Sequence, residues 1–137
     1  MQPTITLEAI INSPLEKVWK YWTGPAHIIK WNNASDDWHT PFAENDLTVG
    51  GKFLSRMEAR DGSFGFDFGG VYDEVRLNEL IAYTLGDGRT VKITFSPAGE
   101  KTKIVETFEA ENVHSIEMQR QGWQNILNNF KTYSEAN

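Results

Sequence analysis

Apolar and polar residues alternate over residues 4 to 11. Ile5, Leu7, Ala9 and Ile11 point one way and Thr4, Thr6 and Glu8 the other, which predicts a half-buried strand. Ser13-Pro14-Leu15-Glu16 then reads as a capping box, with serine as the N-cap, proline in the first helical position and glutamate three residues after the cap. Val18, Trp19 and Trp22 share one face of the helix that follows. Thr23-Gly24-Pro25 stops it and opens a second short helix through His27, Ile28 and Trp31. Residues 32 to 49 are polar and read as a long loop or an edge strand.

From Gly50 the period is two. Phe53, Ser55, Met57 and Ala59 alternate with Lys52, Leu54, Arg56 and Glu58, and Asp61-Gly62 marks a hairpin. Phe64, Phe66 and Phe68 take one face of the next strand, where the pair Gly69-Gly70 suggests a bulge or a bend. Ile81, Tyr83 and Leu85 form another strand, closed by Gly86-Asp87-Gly88. Val91, Ile93 and Phe95 form the next, and after the turn Pro97-Ala98-Gly99-Glu100 come Ile104, Glu106 and Phe108 on the last. The chain closes on a helix with Ser115 as N-cap and Glu117 in its first turn. Its stripe is Ile116, Gln119, Trp123, Ile126, Leu127, Phe130 and Tyr133. Strands joined by short hairpins make an antiparallel sheet, so the expected class is α+β. A curved sheet grips a long C-terminal helix, and two short helices follow the first strand.

Composition sharpens this. The 137 residues are the length of one ordinary domain, expected to span 1–137 and large enough for one core. There is no cysteine, which excludes disulfides, thiolate nucleophiles and Cys-ligated metals, and fits a reducing, cytoplasmic compartment. The opening residues carry no signal-peptide pattern, and no apolar run approaches a membrane span. The 13 Lys+Arg against 19 Asp+Glu give a net charge of -6, which argues against nucleic acid or an anionic membrane as the main partner. Aromatics stand out at 12%, with 8 Phe, 5 Trp and 4 Tyr. Alternation places most of these rings on two facing surfaces, so they either fill a core or line a pocket.

The order of elements, together with Ser13-Pro14, Val18-Trp19, Trp31, Val49-Gly50-Gly51-Lys52-Phe53, Asp61-Gly62-Ser63, the run Phe66 to Val75, Asp87-Gly88-Arg89, Glu106-Thr107-Phe108 and Gly122-Trp123, resembles the START-like (SRPBCC, helix-grip) superfamily. Within it the chain is most similar to the branch named after the activator of the heat-shock-protein-ninety ATPase. The resemblance implies a seven-stranded sheet around the C-terminal helix, with a cavity between them that commonly holds a hydrophobic small molecule. In the named activators a chaperone-engaging domain precedes this one, whereas the strand pattern here starts at Thr4, so chaperone activation is the second expectation.

The candidate cavity residues are Trp31, Phe53, Met57, Phe66, Phe68, Tyr83, Phe95, Glu106, Phe108, Trp123 and Leu127. Gly122 in mid-helix costs about 1 kcal/mol relative to alanine, and a bare backbone facing the sheet opens space or permits close approach. Glu106 lies on the apolar face of its strand. The plain reading pairs it with a helix cation such as Arg120 or places it at the cavity mouth; the sharper one is a functional carboxyl with a raised pKa. His39 near Asp36, Asp37, Glu44 and Asp46 matches no metal-site spacing and reads as a solvated loop. The scattered His27, His39 and His114 form no triad, so no catalytic residue, cofactor or metal is assigned. The first expectation is a binding module for a small hydrophobic or aromatic ligand. The second is a co-chaperone acting through its outer surface. The third is a cyclase- or hydrolase-like enzyme using Glu106 or Tyr83 as acid or base.

Overall fold

The computed structural model describes residues 3–137. Seven strands run β1 (Thr4–Ile11), β2 (Trp38–Asn45), β3 (Lys52–Ala59), β4 (Gly65–Arg76), β5 (Leu80–Leu85), β6 (Thr90–Ala98) and β7 (Lys101–Glu109). Helices α1 (Leu15–Thr23) and α2 (Pro25–Trp31) lie between β1 and β2, and α3 (Ile116–Ala136) ends the chain. The spatial order β1-β7-β6-β5-β4-β3-β2 is antiparallel throughout. Strands β2 to β7 form a meander, and α1 and α2 carry the chain from one edge of the sheet to the other. The fold is thus α+β, a curled antiparallel sheet around a long helix. The polar stretch before Gly50 includes the edge strand β2.

The concave face carries the period-two apolar set of β1 and of β3 to β7, whereas the edge strand β2 buries only Thr40. Ile5, Leu7 and Ile11 of β1 pack beside Ile104 and Phe108 of β7 and Val91, Ile93 and Phe95 of β6. Leu127 and Phe130 of α3 close that core from above, and Val18 and Trp19 of α1 fill its end. Fully burying a side chain such as Phe130 or Leu127 contributes roughly 1.5–3 kcal/mol.

Two local expectations are corrected. The capping box at Ser13 does not form: Pro14 is the N-cap of α1, and no side chain caps it. Ser13 is buried instead, and its hydroxyl donates to the carbonyl of Ser134 at 3.1 Å, while its own carbonyl accepts from Thr102 Oγ1 at 2.9 Å. Ser134 lies in the last turn of α3, whose carbonyls lack intrahelical donors, so the serine serves the end of the far helix. Nor do Gly69 and Gly70 form the bulge of β4. The register with β3 runs unbroken through them and shifts against β5 between Tyr72 and Glu74. The glycines permit close approach instead: a Cβ on Gly70 would lie 2.3 Å from the Thr84 carbonyl oxygen. At the start of α3 the expected cap does form, with Ser115 Oγ accepting from the Met118 N–H.

Candidate ligand cavity

The core stops short of the end of the sheet where β3, β4 and β5 turn under α1 and α2. A cavity of about 210 Å³ lies there, between those strands and all three helices. Its floor follows from strand alternation. Phe53, Ser55 and Met57 rise from β3, Phe66, Phe68 and Tyr72 from β4, Ile81 and Tyr83 from β5, and Glu106 from β7. The roof is Trp22 and Thr23 of α1, Ile28 and Trp31 of α2 with Asn32, and Trp123 and Ile126 of α3. The motif Gly50-Gly51 before β3 holds the floor in place. Gly50 donates to the Tyr72 carbonyl and the Gly51 carbonyl accepts from Tyr72 N–H, at 2.8 and 2.9 Å. A Cβ on Gly51 would lie 2.2 Å from the Asp46 carbonyl oxygen.

The rings brace one another. Phe53 meets Tyr83 edge-on at 4.7 Å and Tyr72 at 5.2 Å between centroids. Trp22 packs on Trp31 at 5.0 Å, and both rest edge-on against Phe130. Trp123 stacks flat on Phe108 at 3.9 Å and meets Phe68 edge-on at 6.0 Å. Offset and edge-on pairs of this kind contribute beyond their buried area, which holds the wall in shape. Phe68 and Trp123 also border a second, more open hollow with Gly122, where no atom stands within 4 Å of a Cβ built on the glycine.

Few polar groups interrupt this surface. The Tyr72 hydroxyl donates to Asn45 Oδ1 at 2.5 Å, and Asn45 Nδ2 donates to the Thr23 carbonyl at 2.7 Å, tying β4 to β2 and α1. Glu106 is 5% exposed and lies opposite Leu7 and Ile93 on the adjoining strands. Arg120 does not pair with it; that guanidinium reaches the Thr6 carbonyl at 3.2 Å. Burial raises the Glu106 carboxyl to about 8, so at neutral pH it is largely the protonated acid. Burial, then the neighbouring Glu106 and Tyr72, push the Tyr83 hydroxyl well above its ordinary range.

Of the sequence candidates, Trp31, Phe53, Met57, Phe66, Phe68, Tyr83, Glu106 and Trp123 line this cavity. Phe95, Phe108 and Leu127 do not. They sit in the filled part of the interior, Phe95 beneath Trp19 and Trp22, and Phe108 beneath Trp123. Phe66 stands at the mouth, 42% exposed, and Phe64 lies outside β4 with its ring against Trp38. Sequence reasoning passed over Tyr72, Ser55 and Ile81, although period-two spacing from Phe68, Phe53 and Tyr83 reaches each of them. Trp22 and Ile28, which the pattern places on the two short helices, complete the roof. No group of three or more His, Asp or Glu side chains among the described residues is placed to hold a metal ion. No helix among them is long and apolar enough to cross a membrane.

Comparison with known proteins places this geometry in a group. The family described as Activator of Hsp90 ATPase homolog 1-like protein matches residues 12–135. The solution structure of an AHSA1-like protein from Aeromonas hydrophila superposes with a TM-score of 0.92 at 44% identity, over 98% of this chain and 93% of that one. A solution structure from Cytophaga hutchinsonii gives 0.85 at 55% identity, over 97% and 92%. A crystal structure from Chromobacterium violaceum, at 24% identity and 0.84 over 96% of each chain, shares the fold. No curated protein matches the sequence.

Proposed function

The chain belongs to the Activator of Hsp90 ATPase homolog 1-like family, whose fold suits a ligand-binding or activator-like module, and from that premise we propose that it binds a small, largely apolar or aromatic molecule in the cavity under α1, α2 and α3. The cavity itself carries this reading. About 210 Å³ walled by aromatic rings exceeds the roughly 150 Å³ of dry apolar space that admits benzene in a protein interior. Apolar walls with a few placed polar groups, here Glu106, Tyr83 and Ser55, are the usual make-up of a small-molecule site.

Toluene is a suitable first probe, read through the indole N–H resonances of the 5 tryptophans. Trp22, Trp31 and Trp123 line the cavity, whereas Trp19 and Trp38 do not. The expected result is saturable shifts confined to the first three. No shift at millimolar toluene, or shifts at Trp38 alone, contradicts the reading.

A second reading has an observation of its own. Trp38, Phe64 and Phe66 cluster at the β2–β4 end of the sheet, with Phe64 62% exposed. Exposed aromatic clusters suit protein partners, and the family description names a chaperone ATPase. Phe64→Ser should then abolish any stimulation of that ATPase by this protein. Stimulation that survives the substitution removes the cluster from consideration.

A further inference from the structure

The cavity wall is chemically lopsided. Glu106 is its one carboxyl, and no Lys, Arg or His is among the described residues that line it. Leu7 of β1 and Ile93 of β6 flank Glu106, Tyr83 of β5 lies near it, and Tyr72 of β4 and Trp123 and Ile126 of α3 share its cavity. The Tyr72 hydroxyl is spent on Asn45. Beyond Phe68 and Trp123 the second hollow holds Arg89, Glu111 and His114, but Arg89 pairs with Asp87 at 2.7 Å and His114 with Glu111 at 3.1 Å. Arg120 is turned outward to Thr6. Among the described residues no cation meets the buried carboxyl.

The surroundings favour one. Aromatic faces are electron-rich, so a box of rings repels an anion and attracts a cation, the more strongly where water is excluded. A nearly buried carboxyl without a partner, set among the rings of Trp31, Phe53, Tyr83 and Trp123, is complementary to a positive charge that the protein does not supply. We propose that the ligand supplies it: the cavity takes a small amine, an aromatic or apolar body whose ammonium group pairs with Glu106. This deepens the reading of the cavity as a ligand site and rests on it.

The proton balance gives the proposal a sign. With the carboxyl raised to about 8, the empty site holds the acid form at neutral pH. An entering ammonium ion keeps its own proton and expels that of Glu106 to solvent. Amine affinity therefore rises about tenfold per pH unit well below pH 8, more slowly as it nears 8, and then levels. A neutral ligand that accepts a hydrogen bond from the acid shows the opposite slope, weakening as pH rises past 8.

Benzylamine and benzyl alcohol, matched in size, separate these cases when titrated against the full chain at pH 6, 7 and 8 with the tryptophan indole signals as readout. Benzylamine should tighten about ninefold from pH 6 to 7 and about fivefold from pH 7 to 8, while benzyl alcohol does not. Glu106→Gln should flatten the benzylamine profile and reduce its affinity to that of the alcohol. Because the wild-type pH series alone decides the sign, the test survives if that variant folds poorly. Benzyl alcohol binding as tightly as benzylamine at pH 8 overturns the amine proposal and leaves the cavity reading standing. So does benzylamine binding that ignores both pH and the substitution. Binding of neither probe overturns both.

Discussion

Replacing Glu106 by glutamine removes the carboxyl from the cavity wall with little change of shape, and the consequence for stability depends on pH. The folded-state pKa, raised to about 8, lies above the ordinary 4.5, so the folded chain holds a proton that the unfolded chain releases between those values. The group's favourable contribution is complete below about pH 4.5 and lost as pH climbs through 8. Chemical denaturation should find Glu106→Gln within about 1 kcal/mol of wild type at pH 5 and more stable by on the order of 4 kcal/mol at pH 9. A constant difference across that range rejects the buried, unpartnered acid. Two glycines form a contrasting pair at the same scale. Gly70→Ala drives a Cβ to 2.3 Å from a backbone oxygen of β5 and should cost about 3 kcal/mol or more. Gly122→Ala meets nothing within 4 Å and should stabilise α3 by about 0.5–1 kcal/mol. Urea midpoints of the two variants moving in the same direction would refute this reading of the glycines.

At the level of elements, Ser13 joins three of them: it follows β1, precedes α1 and holds the last turn of α3. Ser13→Ala should therefore cost about 1–2 kcal/mol through the unpaired Ser134 carbonyl. Glu16→Ala, which a capping box would make expensive, should cost only the roughly 0.3 kcal/mol that a first-turn acid contributes through the helix dipole. Thermal denaturation of both variants checks the ranking, and a larger loss for Glu16→Ala restores the capping box. Ser-Pro-x-Glu spelled a local motif that a long-range contact overrode, because the tertiary partner 121 residues away is invisible to local pattern. The strands were more legible. Each alternating run from Gly50 onward became a strand, since period-two burial is a local property of a half-buried sheet. Tyr72 escaped because the alternation of β4 breaks just after it, at the register shift before Glu74, which blurs the pattern on either side.

Across the whole molecule, the inward-facing part of the aromatic surplus divides into two regions, apart from the exposed cluster of Trp38, Phe64 and Phe66. The rings Phe95, Phe108 and Phe130 are packed solid, while Trp22, Trp31, Phe53, Phe68, Tyr83 and Trp123 surround the hollow. Alternation told which rings face inward but not where packing ends, because that depends on how α1 and α2 ride over the sheet. Glu106 was legible as an inward carboxyl for the same reason, whereas its lack of a cation follows from the outward course of Arg120. If the hollow is the functional feature, filling it should abolish binding without unfolding the chain. Ile126→Trp, from the roof, should keep the thermal midpoint within a few degrees while eliminating the toluene-dependent indole shifts. Shifts that persist in that variant place the ligand elsewhere. The most direct measurement is a crystal structure of the protein grown with benzylamine. The account predicts density for one molecule between Trp31, Phe53 and Tyr83, its nitrogen within hydrogen-bonding distance of a Glu106 carboxylate oxygen. A collapsed or empty interior, with benzylamine absent or bound only on the outer surface, would contradict it.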